Sequence, residues 1–216
     1  RKKVFLNSKH ASRMDEQGKL SPVPGAQYPV EACEASLKHL HTDHIDLYQA
    51  HRAVEPVEEQ MKGMKKLKDE GKIRYIGVSD FNLDQLERAN SVVHIDAIEI
   101  ELSRWTPDVL TNGILDWTKK NGTALIAYSP LGRGFLAGEM SSTDTLESND
   151  FRKRNPTFEP QNFVHNLDLV RQLRKVRYDR LLIRSNWLTK QKLRVTPYCP
   201  DEATGVIQRD VLHWKA

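Results

Sequence analysis

Ile45-Asp46-Leu47-Tyr48-Gln49-Ala50, closed by His51-Arg52, is a short apolar run with a polar end. An amphipathic stretch, Val57–Glu70, follows it, and then a second apolar run, Ile73–Val78. Pro56 stands near the start of the middle stretch and Gly71 just past its end, the usual punctuation of a helix. The order reads strand, helix, strand.

Outward from this unit the alternation repeats. Upstream, Val4–Ser8 is a strand candidate, Gly18 to Pro24 a loop rich in Gly, Pro and Ser, and Val30–Leu40 a helix in which Ala32, Ala35, Leu37 and Leu40 recur. Downstream, Leu83–Ala89 is a helix opened by Asn82 as a cap. Ile95–Glu101 is a strand, Pro107–Asn121 a helix with Gly122 after it, and Thr123–Tyr128 a strand. Strands with a helical stretch between each pair predict a parallel sheet covered by helices and joined by right-handed crossovers. An open doubly wound sheet and a (β/α)8 barrel both satisfy this pattern. No GxGxxG follows the first strand, which weakens the dinucleotide-binding doubly wound reading. A barrel carries its chemistry at the C-terminal ends of its strands. Polar residues fall there: Lys9, His51, Ser79 with Asp80, Glu101 with Ser103, and Tyr128 with Ser129.

The 216 residues suffice for one domain with a sizeable core, and 38% apolar with 29% charged residues fits a water-soluble globular chain. No apolar run approaches the ~18–20 residues that span a bilayer. The apolar part of Arg1-Lys2-Lys3-Val4-Phe5-Leu6 is too short for a signal peptide. Cys33 and Cys199 lie far apart, without metal-ligand spacing, so a reducing, cytoplasmic location is expected and no metal site. The net charge is +4. Lys62, Lys65, Lys66 and Lys68 alternate with Asp69 and Glu70 nearby, which describes a solvated helix face rather than a nucleic-acid patch. The excess positive charge still favours an anionic cofactor. Neither a membrane nor a nucleic-acid partner is expected, and the sequence does not speak to oligomeric state.

Several residues have both a chemical and a plain structural reading. Lys9 closes the first strand, as an active-site cation that lowers a neighbour's pKa or as a surface lysine. His51 can polarise a carbonyl or share a proton relay, whereas His39, His41 and His44 sit on or just after a helix. The face of Tyr128 can stack on a flat ring. Behind it, Ser129-Pro130-Leu131-Gly132-Arg133-Gly134 offers backbone N–H groups and a guanidinium to phosphate oxygens, or is an ordinary Gly/Pro turn. Ser79-Asp80 can hydrogen-bond a carboxamide or cap the helix at Leu83. Trp105 lines a substrate pocket or is half-buried packing.

Three segments carry a resemblance. Asp46 to Arg52 reads DLYQAHR, Gly71 to Phe81 reads GKIRYIGVSDF, and Ile126 to Gly138 reads IAYSPLGRGFLAG. In this order and spacing they resemble successive signatures of the aldo-keto reductase family. Asp150–Pro156 and Asn166–Val170 are similar to the branch containing pyridoxal reductases and auxin-induced-type reductases. The resemblance covers roughly residues 3 to 176. It implies an α/β fold, a (β/α)8 TIM barrel, that binds NADP in extended form and reduces small-molecule aldehydes or ketones to alcohols. It also implies an Asp, Tyr, Lys and His tetrad. Lys9 matches the lysine, which lowers the pKa of the proton-donating tyrosine, and His51 the histidine that orients the carbonyl. Ser79 matches the serine that holds the nicotinamide carboxamide. Asp80 stands where many members have Asn, and Glu99 where Gln is common. A carboxylate at position 99 accepts but does not donate, which alters that contact. Tyr128 matches the tyrosine that stacks on the nicotinamide, and Ser129, Leu131 and Arg133 the pyrophosphate loop.

The resemblance begins at the family's third strand, so the barrel is expected to be incomplete, with about strands 3–7 present and the tetrad Asp and Tyr missing. Residues 1–176 form this partial barrel. Residues 177–216 form a basic segment outside the family pattern, expected to be frameshifted or disordered. Exposed sheet edges predict a poorly stable chain. The alternatives to an active NADP-dependent oxidoreductase are an inactive truncated fragment and a non-enzymatic regulatory homologue.

Overall fold

The computed structural model describes residues 4–10, 12–14, 20–138 and 140–175. The segment 177–216, set apart in the sequence, lies outside them. In chain order the elements begin with β1 (Asn7–His10), β2 (Ser12–Met14), β3 (Leu20–Pro22), α1 (Gln27–His39) and β4 (Ile45–Ala50). They continue with α2 (Val57–Asp69), β5 (Ile73–Ser79), α3 (Leu83–Val92), β6 (Ala97–Glu101), α4 (Ile114–Asn121), β7 (Ala124–Tyr128) and α5 (Pro160–Lys175). The residues divide into two units, one of residues 4–101 and 108–126, the other of residues 102–107 and 127–175.

The main sheet has five strands in the order β1-β4-β5-β6-β7. The pairs β1–β4, β4–β5 and β5–β6 are parallel. All six residues of β4 are buried, as a strand covered on both faces must be. The covering helices follow from their apolar spacing. Val30, Cys33 and Leu37 of α1 are buried, as are Val57, Met61, Met64 and Leu67 of α2, each set recurring every three or four residues. Gly63 lets these two helices meet: a Cβ there would lie 2.2 Å from the carbonyl oxygen of Ala26. Asn82 caps α3 in a reciprocal capping box with Gln85. Two carboxylates, one buried (Asp46) and one half-buried (Asp96), brace the N-terminal strand ends. Asp46 accepts from the amide of Leu6 (2.8 Å) and from Arg74 (2.9 Å), and Asp96 accepts from the amide of Ile76 (2.8 Å) and from Lys68 (2.9 Å).

Three elements differ from the sequence reading. The first strand is Asn7–His10, not Val4–Ser8. Leu6 is held by Asp46 and Leu47, pairing proceeds from there toward His10, and Val4 and Phe5 are left half exposed. The helix expected over Pro107–Asn121 is broken, because Gly113 at φ 89° interrupts it between a 3-10 turn (Asp108–Leu110) and α4. The Gly/Pro/Ser loop contributes β3 to a small antiparallel ladder with β2.

In the second unit, Phe135, Phe158, Phe163 and Val170 form a buried cluster against which Trp105 packs. Among the described residues no helix is long and apolar enough to cross a membrane.

Candidate active site

Successive side chains of a strand face opposite ways, so Asn7 and Lys9 share one face of β1 and Ser8 and His10 the other. The register sets Lys9 beside Gln49, Gln49 beside Gly77, and Ser79 beside Glu99. A Cβ at position 77 would lie 2.8 Å from Cγ and 3.0 Å from Oε1 of Gln49, so the missing side chain is what lets Gln49 reach across the sheet. Its amide nitrogen donates to Oδ1 of Asn7 (3.0 Å) and to Oε2 of Glu99 (2.9 Å). The ammonium of Lys9 pairs with Oε1 of Glu99. Glu99 is 3% exposed, and so deep a carboxylate is sustainable only when paired and hydrogen-bonded, as this one is.

His51 follows β4 directly. Its amide donates to the carbonyl of His10 (2.8 Å). The loop behind it is clasped by Gln60 of α2, which accepts from the amide of Val54 (3.2 Å) and donates to the carbonyl of Arg52 (3.1 Å). The same amide nitrogen faces Nε2 of His10 (3.3 Å). The imidazole of His51 is half-buried. Burial holds its pKa below the ordinary value, and the positive charges of Arg52 and Lys9 add to this, while Glu99 and Asp80 pull the other way. At neutral pH the ring is therefore neutral, able to donate one N–H and accept at the other nitrogen.

Ser79, buried at 1%, ends β5. Asp80 follows at φ 53°, and its amide donates to the carbonyl of Glu99 (3.0 Å). The carboxylate of Asp80 lies 2.7 Å from the guanidinium of Arg52. Lys9, His51, Ser79, Asp80 and Glu99 thus belong to the C-terminal strand ends of one unit.

The second unit holds the loop after β7. Ser129 and Arg133 are at φ 50° and 54°, and the loop closes through Gly132 N–H to Ser129 O (2.8 Å) and Leu136 N–H to Leu131 O (3.0 Å). The carbonyl of Tyr128 accepts from Leu102 N–H (3.3 Å). Trp105 is a packing residue here. It stacks on Phe135 at 4.7 Å between ring centres, donates to Asn166 (3.1 Å), and lies over Gly132, where a Cβ would come within 2.8 Å of its ring. Arg152, gripped by Asp150 (2.6 Å), reaches the carbonyl of Arg133 (3.4 Å). Among the described residues no group of three or more His, Cys, Asp or Glu side chains is placed to hold a metal ion.

The sequence reading missed Gln49, Gly77, His10 and Gln60. The signal for Gln49 was a lone amide inside an apolar strand. For His10 it was its place beside Lys9 on the opposite face.

The five-stranded sheet, with helices between its strands and polar groups at their C-terminal ends, forms part of a (β/α)8 barrel, the likeness to solved structures deciding against an open doubly wound sheet. The chain belongs to the aldo/keto reductase family, whose model matches residues 1–192. It is 36% identical over 181 residues to an NADP(+) aldo-keto reductase, yakc, of Schizosaccharomyces pombe, covering 82% of this chain and 53% of that protein. It is 41% identical over 150 residues to the aldo-keto reductase str7 of Strobilurus tenacellus, covering 68% of this chain and 45% of that protein. The chain spans about half the length of these curated relatives. Among solved structures it is similar to the glycerol dehydrogenase of Gluconobacter oxydans, with TM-score 0.78 and 25% identity over 89% of this chain and 62% of that one. It is also similar to an aldo/keto reductase of Klebsiella pneumoniae solved with NADP and acetate, with TM-score 0.53 and 27% identity over 66% of this chain and 47% of that one.

Proposed function

We propose that the chain is an NADP-dependent oxidoreductase that reduces a small-molecule aldehyde or ketone to an alcohol in the cytoplasm. The observation that carries this reading is the placement of Lys9 and His51 on adjacent strand ends, close enough that the lysine's charge depresses the histidine's pKa. A neutral imidazole beside a fixed ammonium suits a carbonyl oxygen: His51 donates its N–H to that oxygen, and Lys9 stabilises negative charge developing there.

The residues present fit the cofactor's chemistry. NADPH, when bound, would supply the hydride for the carbonyl carbon, and the resulting alkoxide, held by His51 and Lys9, would take its proton from solvent water. Ser79 is the one of three candidate carboxamide ligands that can both donate and accept, and Asp80 accepts from the carboxamide nitrogen, whereas the two oxygens of Glu99 already accept from Lys9 and Gln49. Tyr128 offers a ring face for stacking. Ser129, Leu131 and Arg133 belong to a loop with backbone N–H groups and a guanidinium suited to pyrophosphate oxygens. Buried, free Cys33 accords with the reducing compartment.

The test is aldehyde-dependent NADPH oxidation by the whole chain, compared with Lys9→Met and His51→Ala. Each substitution is expected to lower the rate by ~10²–10⁴-fold. A wild-type rate equal to that of Lys9→Met would refute the reading.

A further inference from the structure

We propose that Glu99 is a positioning residue for Lys9: it fixes the ammonium at one point of the site, and is itself fixed by a chain of contacts running over Gly77. The catalytic meaning of this rests on the oxidoreductase reading, but the positioning does not.

A lysine ends in a point charge on a four-carbon stem, with about 2 kcal/mol of rotamer entropy to lose on being fixed. Without a rigid counter-charge the ammonium would sample many places. Lys9 pairs with a carboxylate that has no such freedom. One oxygen of Glu99 takes the lysine and the other takes Gln49, whose second amide hydrogen is spent on Asn7. The backbone of Glu99 is held as well, since its carbonyl accepts from the amide of Asp80. Side chains of β1, β4 and β6 therefore set one ammonium position together, across the space that Gly77 leaves open. The lysine side chain is a quarter exposed and that of its partner almost wholly buried, so the direction of the lysine is determined from the sheet side.

Glu99→Gln keeps the shape and removes the charge. Amine acylation read lysine by lysine by mass spectrometry reports the result without any turnover. In the wild type, Lys9 should react more slowly than exposed Lys62 and Lys119. In Glu99→Gln it should react several times faster while the other two do not change, and Glu99→Asp, which keeps the charge, should fall between. Equal Lys9 rates in wild type and Glu99→Gln would overturn the proposal. If all lysines accelerate together, the substitution has loosened the fold. Asn7→Ala, at the exposed end of the chain of contacts, then decides: faster Lys9 acylation alone supports the proposal, and no change overturns it. The same variants assayed with NADPH and an aldehyde should show kcat reduced by up to ~10²-fold with KM for NADPH unchanged, the signature of a misplaced group rather than a lost cofactor contact. A rise in KM alone would instead make Glu99 a cofactor ligand. Absence of turnover in the wild type would refute the oxidoreductase reading and leave the acylation result standing.

Discussion

The guanidinium of Arg52 sits 2.7 Å from the carboxylate of Asp80, joining the loop that leaves β4 to the loop that leaves β5. The pair is partly exposed, so it contributes little stability, roughly 0–1 kcal/mol. Its effect falls on His51, next in sequence to Arg52. Arg52→Ala removes a positive charge that lowers the histidine's pKa, and should raise it. Asp80→Asn removes a negative charge that raises it, and should lower it. Titration of the His51 ring signals by NMR checks both signs.

Gln60 should matter more to stability than a polar helix residue ordinarily does. It is buried and serves Val54 N–H, Arg52 C=O and the His10 ring. Gln60→Leu orphans the first two, at roughly 1–3 kcal/mol for such a loss. Urea unfolding should show the destabilisation, and amide exchange should quicken at Val54.

Gly63→Ala should destabilise, although alanine is the better helix former by about 1 kcal/mol. The new methyl would meet the Ala26 carbonyl at 2.2 Å, a backbone atom that cannot swing aside. Overpacking of this kind costs about 1–3 kcal/mol. A lowered Tm checks it, and an unchanged or raised Tm would mean that α1 can yield.

His10 should make the fold acid-sensitive. Burial, with His51 adding to it, pushes its pKa down to about 4. The unfolded chain takes up this proton near pH ~6.5. Stability is therefore complete above that pH, falls as pH drops toward 4, and levels off below. The loss from this group is on the order of 3 kcal/mol. Carboxylates also titrate toward the acid end of that window, so the contribution of His10 is read as a difference: with His10→Phe, which retains an aromatic ring beside Tyr48, the urea midpoint should fall less between pH ~6.5 and pH ~4 than in the wild type.

Sequence and structure agree best where apolar spacing and end signals coincide. Around Ile45–Ala50, Val57–Asp69 and Ile73–Ser79 the boundaries match to within a residue. They part where pairing rather than hydropathy decides. The most apolar residues near the N-terminus, Val4 and Phe5, precede the strand, and the polar Asn7, Lys9 and His10 lie in it, because the ladder with β4 sets the register. The polar groups at strand ends were legible one by one. The link between them was not, since the role of Gln49 depends on a glycine in the neighbouring strand and a carboxylate in the next.

Asp80, Ser129 and Arg133 all hold a left-handed backbone, at φ 53°, 50° and 54°. For Ser129 and Arg133 this conformation carries a penalty of ~1–2 kcal/mol apiece, and for an aspartate, which visits it more readily, a smaller one. An engineer hunting for easy gains in heat resistance would swap these three for glycine first. They are also three of the positions proposed to hold the cofactor. Toughness and affinity therefore compete at the same few peptide units, and a hardier version of this protein is best sought in its helices.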